Sequence, residues 1–207
     1  PTATGITTTP AALTGAVPGA GVAPDNKLTP SSTYSYKTVF FDPATGTEAI
    51  PSAEKTVALG AAEKQVTLSG FPANASGYGG LRIYRKPPGE TDYYLVDEVV
   101  PAPGAADTYI DGFLSDATII AAGDKLSDDM LTGNYTYHVT FFNATGESRP
   151  SLPVERTVTD GRVVLTGFPT PATNPNEWTG RRIYRNLANG PNTFYQLAGF
   201  PNDPAAP

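Results

Sequence analysis

The chain has no cysteine among its 207 residues, and only one histidine and one methionine. The missing thiols exclude disulfide staples, thiolate nucleophiles and cysteine-based zinc sites together. A lone imidazole leaves little room for acid–base or metal chemistry. Charge is scarce as well, at 16% of residues, against roughly 25% in ordinary soluble domains. The balance is -6 with no basic cluster, which argues against nucleic acid or an anionic membrane as partner. No run approaches the roughly 20 apolar residues of a bilayer-spanning helix. The chain opens Pro-Thr-Ala-Thr, without the basic and apolar segments of a secretory signal. Either such a signal is already removed or the protein leaves its cell by another route.

What is present is Gly, Pro and aromatic residues. The 21 Gly and 21 Pro make up about a fifth of the chain, below the roughly 25–30% of low-complexity disorder. With 11 Tyr and 9 Phe beside many Val, Ile and Leu, the chain carries enough apolar area for small cores.

An internal repeat organises these residues. LTPSSTYSYKTVFFDPATGTEAIPS (28–52) lines up with LTGNYTYHVTFFNATGESRPS (131–151), and QVTLSGFP (65–72) with VVLTGFP (163–169). GLRIYRKPPGETDYYLV (80–96) then matches GRRIYRNLANGPNTFYQL (180–197). The period of about 100 residues is the size of a domain, so the chain is a tandem pair and not a solenoid of short units.

Each copy reads as β throughout. Tyr34, Tyr36, Thr38 and Phe40 alternate on one face of a strand, as do Tyr135, Tyr137, Val139 and Phe141. Lys37 and His138 fall on the opposite face, which is expected to be solvated. Asp42–Gly46 and Asn143–Gly146 read as turns needing Gly at positive φ. EKTVAL (54–59) and ERTVT (155–159) are expected strands, each joined through a Gly-bearing turn to the next apolar run. LRIYR and RRIYR are strands with Ile83 and Ile183 inward, and DYYLVDEVV (92–100) pairs back across Pro87-Pro88-Gly89. Five to seven short strands without helical periodicity indicate an all-β sandwich in each copy.

The copies differ at their ends. After its last matched strand, copy 1 continues into Thr108-Tyr109-Ile110, a closing strand, whereas copy 2 reaches only PNDPAAP (201–207). A sandwich lacking that strand leaves an edge open. Two suppliers are considered, a natural chain running past Pro207, which is favoured, and another segment or subunit. Residues 1–27 form an extended arm that orders against a partner, or contribute Thr4 to Leu13 as the first strand of domain 1. The expected division is 1–27 for that segment, 28–116 for domain 1 and 117–207 for domain 2 without its closing strand. DATIIAA (116–122) is the expected first strand of domain 2.

The order Leu-Thr-x-x-Tyr-Thr-Tyr-x-Val-Thr-Phe, Gly-Glu-Ser-x-Pro-Ser, Val-x-Leu-Thr-Gly-Phe-Pro and Arg-Arg-Ile-Tyr-Arg resembles fibronectin type III-like modules. More narrowly it is similar to those of bacteriophage virion proteins such as tail fibres, baseplate components and head decorations. The resemblance covers 28–111 and 131–200. Copy 2 has Gly146-Glu147-Ser148 contiguous, while copy 1 inserts Thr47 between Gly46 and Glu48. The resemblance implies a seven-stranded sandwich and a structural or adhesive role, and it brings no catalytic residues and no cofactor. Implied partners are other virion proteins, as homo-oligomer or as head, tail or baseplate neighbours, with a host-surface glycan as a further candidate. Implied location is the extracellular particle, after assembly in the host cytoplasm. The alternative is a carbohydrate-binding or spacer module of a secreted adhesin or polysaccharide-degrading enzyme.

The remaining chemistry is thin. His138 lacks a nucleophile elbow and matches Lys37, so an exposed strand residue is expected. Glu48 and Glu147 recur beside a turn, but one glutamate per domain cannot form a glycosidase pair. Each is expected to accept turn amides or to pair with a neighbouring Arg. Arg82 shares a face with Tyr84, and Arg182 with Tyr184, which suits stacking on a sugar, covering the Tyr, or cross-strand ion pairing. Trp178, in NPNEWTG, either packs to pin its loop or offers a sugar platform, and Tyr78 recurs at that place in copy 1. Arg82, Tyr84, Arg182, Tyr184 and Trp178 are therefore the candidate interface or glycan contacts. Asp107, Asp111, Asp116, Asp124, Asp128 and Asp129 crowd the junction, where turn, cap and solubility roles are weighed against a Ca²⁺ site.

Overall fold

A computed structural model describes residues 1–6, 8–127, 130–168, 177–190 and 193–201. The chain divides into two compact units, Thr8–Asp129 (the first unit) and Pro1–Thr7 with Met130–Pro207 (the second unit). Both are built almost wholly of β-strands, with one short helix among the described residues.

The first unit holds two antiparallel sheets. Strand β1 (Thr2–Ile6) belongs to the second unit, so the first begins with β2 (Gly15–Gly19). It continues with β3 (Thr33–Phe41), β4 (Lys55–Ala58), β5 (Gln65–Ser69), β6 (Gly80–Lys86), β7 (Tyr94–Val99) and β8 (Thr108–Asp111). The three-stranded sheet runs β2-β5-β8 and the four-stranded sheet β4-β3-β6-β7. Alternation puts Tyr34, Tyr36, Thr38 and Phe40 on one face of β3, all buried, with Ile83 of β6 beside them. Val66 and Leu68 of β5 are buried as well. Gly80 opens β6 where a Cβ would stand 2.3 Å from the Phe41 ring, so only glycine lets the strand approach. The β6–β7 hairpin turns through Pro87-Pro88-Gly89, with Gly89 at φ +83°.

The opposite face of β3 is covered, contrary to the solvated face expected there. Val39, Tyr84, Tyr93 and Leu126 form a second small apolar cluster, and the Lys37 ammonium sits 4.7 Å from the Tyr93 ring centroid. The segment carrying Leu126 is held along β7 by hydrogen bonds from Leu95 to Asp124 and from Leu126 to Tyr93. That segment follows helix α1 (Asp116–Ala122), which replaces the strand expected over DATIIAA. Ser115 caps its N-terminus, accepting from the Thr118 amide, and Gly123 closes it in the left-handed region at φ +78°. Cap signals at both ends outweigh the β-branched residues between them.

The second unit is one five-stranded sheet, ordered β1-β10-β9-β11-β12, formed with β9 (Leu131–Phe142), β10 (Val154–Thr166), β11 (Gly180–Asn186) and β12 (Phe194–Pro201). Its core gathers Tyr135, Tyr137, Val139, Val158 and Ile183, with Leu131, Val163, Leu165 and Phe168 packed around them. Strand β10 fuses what the first unit keeps as β4 and β5. The connection is four residues shorter here, so the expected turn shrinks to a bulge between Val158 and Gly161, with Asp160 at φ +46°.

Two further expectations change. The Gly at the tip of the β3 turn is at φ +70° at Gly46, but Gly146 is not at positive φ. Without the inserted Thr47, the Asn143 side chain closes the turn itself, accepting from the amides of Thr145 and Gly146. The first strand of domain 1 is Gly15–Gly19 and not the expected Thr4 to Leu13. Thr2–Ile6 pairs antiparallel with Arg162–Thr166 of copy 2, and Gly15–Gly19 pairs in the same register with the matching Gln65–Ser69. The first-strand position of the second unit is thus filled from the chain's opening residues, and the first unit runs on past 116, through α1.

Candidate functional site

In each unit a turn glutamate is gripped by the IYR strand. Glu48 bridges to Phe41, and its Oε1 accepts from Arg82 Nη1 at 2.8 Å and from the Tyr84 hydroxyl at 2.5 Å. Arg82 Nε donates to Glu98 of β7 at 2.7 Å, and the guanidinium lies 4.5 Å from the Phe41 ring centroid. Glu147 bridges to Phe142 in the same way and accepts from Arg182 Nη1 at 2.6 Å and from the Thr140 hydroxyl. Arg182 stands 4.4 Å from the Phe142 ring centroid. Its cross-strand neighbour is Gly199, where Arg82 has Glu98, so the second cluster has one acid fewer.

The electrostatics follow from these contacts. Burial would raise the Glu147 carboxyl, but hydrogen bonds from Thr140, Tyr184 and Arg182 outweigh it and hold it below the usual range. Burial and the hydrogen bond to Glu147 push the Tyr184 phenol up. Each cluster is a carboxylate neutralised in place, so it pins a turn to its sheet. The first cluster sets two carboxylates, Glu48 and Glu98, on one guanidinium, whereas Glu147 stands alone on Arg182.

Trp178 is not part of this arrangement. Arg182 pairs with Thr140 across the strands and Arg181 with Phe141, so Phe141 belongs to the face opposite Arg182 and Tyr184. The half-buried Trp178 ring packs against Phe141 at 6.5 Å between centroids. Tyr78 stacks on the matching Phe40 at 6.0 Å. The five candidate contacts thus divide between two faces and two units, and Trp178 takes the packed role.

The most concentrated polar chemistry lies inside the first unit, where sequence reasoning had not joined its parts. Arg85 on β6 is 0% exposed and clamps Asp111 at the end of β8, with Nη1 2.6 Å from Oδ1 and 2.8 Å from Oδ2. Its Nη2 donates to the Leu114 carbonyl at 3.0 Å and stands 3.1 Å from Asp116 Oδ1. Tyr36 donates to Asp111 and Tyr34 to Asp116, both at 2.7 Å. Burial, reinforced by the hydrogen bond to Asp116, raises the Tyr34 phenol to about 12. Burial pushes the Asp111 carboxyl up while the Arg85 guanidinium pulls against it. The signal available in sequence was an Asp ending the closing strand and a Tyr-x-Tyr strand beside an Arg. Spacing alone does not reveal that these meet across two sheets.

The other candidates resolve into local roles. His138 is half-buried, not exposed as expected, because Phe194 packs edge-on against it at 4.6 Å between centroids. Its Nδ1 is 2.9 Å from the Ser151 carbonyl oxygen, a contact that requires a proton on Nδ1. Asp107 accepts from the Gly104 amide at 2.7 Å, while Asp111 and Asp116 are held by Arg85 and the tyrosines. Asp128 and Asp129 lie outside the described residues. Among the described residues no group of three acidic or histidine side chains is placed to share a cation. No protein family, curated protein or solved structure matches the chain.

Proposed function

We propose that the chain is a non-enzymatic structural component of a bacteriophage virion, built from two tandem fibronectin type III-like sandwiches. It acts as a spacer, decoration or attachment segment in a tail fibre or the head–tail region, assembled in several copies with other virion proteins. The observation that carries this reading is that its distinctive side chains are engaged in holding its own strands. Glu48 and Glu147 are neutralised by Arg82 and Arg182, Asp111 by Arg85, and Trp178 is packed on Phe141. Packed, internally neutralised sandwiches suit the setting of distance between attachment points, a task that needs no open cleft. The resemblance of the repeated motifs supplies the particle. Immunogold electron microscopy on particles from the source culture tests it. Gold at one fixed place on each particle is expected, and unlabelled particles under conditions that label the purified chain would overturn it.

A further inference from the structure

The repeat relates a closed polar site in the first unit to an open one in the second. Glu54, just before β4, accepts from Ser35, Thr56, Lys86 and Tyr93. Its match Glu155, on β10, keeps none of these bonds. Lys86 becomes Asn186, and Tyr93 becomes Phe194, whose ring packs on His138. Thr157, the match of Thr56, donates to Asn134 instead. Among the described residues the exposed Glu155 carboxylate has no partner.

Around Glu155 the second unit opens a cleft of about 510 Å³, lined also by Asn134, Thr136, Thr157, Asn186 and Asn189. Asn134 pairs with Thr157 and Thr136 with Glu155 across β9 and β10, so these four share the face opposite the Tyr135–Tyr137 core. The three asparagines are held by their side-chain oxygens. Asn186, 7% exposed, accepts from the Thr136 amide at 2.8 Å, Asn189 from the Asn134 amide at 3.0 Å, and Asn134 from the Thr157 hydroxyl at 2.5 Å. Asn189 stands at φ +51°, where the first unit has Gly89 at +83°, and its backbone amide donates to the Asn134 carbonyl. Each side-chain NH2 is thereby left to donate, and among the described residues none has an acceptor. Arg156 also borders the cleft, and its guanidinium lies along Gly5 of β1, where a Cβ would stand 3.0 Å from Nε.

We propose that this cleft binds an uncharged glycan, with Glu155 accepting from neighbouring hydroxyls and the asparagine NH2 groups donating to sugar oxygens. Sugar hydroxyls donate and accept at once, so a carboxylate beside fixed amide donors matches them. Donors already held in place lose little freedom on binding. A sugar carboxylate or sulfate would meet the charge of Glu155, which selects against it. None of the five contacts expected from the sequence lines the cleft. The inference stands on the second unit alone and adds recognition to the spacing role, so it holds or fails independently of the particle assignment.

The test applies the full chain to an array of immobilised neutral, sialylated and sulfated oligosaccharides, with calorimetry on those retained. Retention of a neutral oligosaccharide is expected, weakened about tenfold or more by Glu155→Ala and by Asn134→Ala, and unchanged by Arg149→Gln at an exposed turn. Asn186→Lys, which restores the cation that closes the site in the first unit, is expected to abolish it. Trp178 emission equal to that of the unaltered chain shows that each variant is folded. No retention, retention confined to sialylated or sulfated sugars, or an affinity that survives Glu155→Ala would overturn the proposal.

Discussion

Arg85 and Asp111 meet guanidinium to carboxylate at 2.6 and 2.8 Å, with side chains 0% and 1% exposed. They tie β6 of one sheet to β8 of the other, and Tyr36 completes the carboxylate's partners. Such a pair gives up hydration on both sides, so its net worth is small while its integrity matters greatly.

Asp111→Ala is therefore expected to cost about 3–5 kcal/mol, because it strands a buried guanidinium. Arg185→Ala, which removes a half-buried cation without a carboxylate partner among the described residues, is expected to cost about 1 kcal/mol or less. Urea denaturation followed by far-ultraviolet circular dichroism measures both, and equal losses would contradict the asymmetry between the repeats.

The chain's single tryptophan, Trp178, lies in the second unit, so its emission reports that unit. Deleting residues 1–6 removes β1 and the buried Ile6. The tryptophan-detected transition is expected to weaken by about 2 kcal/mol or more, while tyrosine signals from the first unit hold their midpoint. An unmoved tryptophan transition would contradict the assignment of β1 to that sheet.

The inward faces of the strands were legible in the sequence because alternation is local: Tyr34, Tyr36, Ile83 and Ile183 are buried as the period of two requires, whereas the cover on the opposite face of β3 includes Leu126, far along the chain, and leaves no local trace. The pairing of each turn glutamate with its arginine was also within reach, since both recur in each copy. Helix α1 was missed because Ile119 and Ile120 favour strands by type, and only Ser115 and Gly123 outside them reveal the caps. The destination of Thr2–Ile6 was missed because a strand's partner across more than 150 residues leaves no local trace. The buried Arg85–Asp111 joint was missed for the same reason.

Glu54 gives a pH dependence of defined sign. The hydrogen bond from Tyr93, assisted by Thr56, Lys86 and Ser35, lowers its carboxyl from 4.5 to about 2. Its contribution is complete above 4.5 and is lost as pH falls toward about 2. The side chain is 40% exposed, so solvent screening keeps the effect modest. The stability difference between wild type and Glu54→Gln is expected to be largest at neutral pH and to close across that window. A difference that widened on acidification would contradict it.

Arg182→Ala breaks the contact with Glu147 on a partly exposed face, where the pair is 33% and 28% exposed. A loss of about 1 kcal/mol or less is expected, sensitive to salt. Urea midpoints at low and high ionic strength measure it, and a large salt-independent loss would assign the cluster a core role.

The central claim, a virion component, is tested most directly by peptide mass spectrometry of density-purified particles beside the soluble fraction of the same culture. The account predicts peptides from both units in the particle band at constant ratio to the other particle proteins. Recovery of the chain from the soluble fraction alone would contradict it.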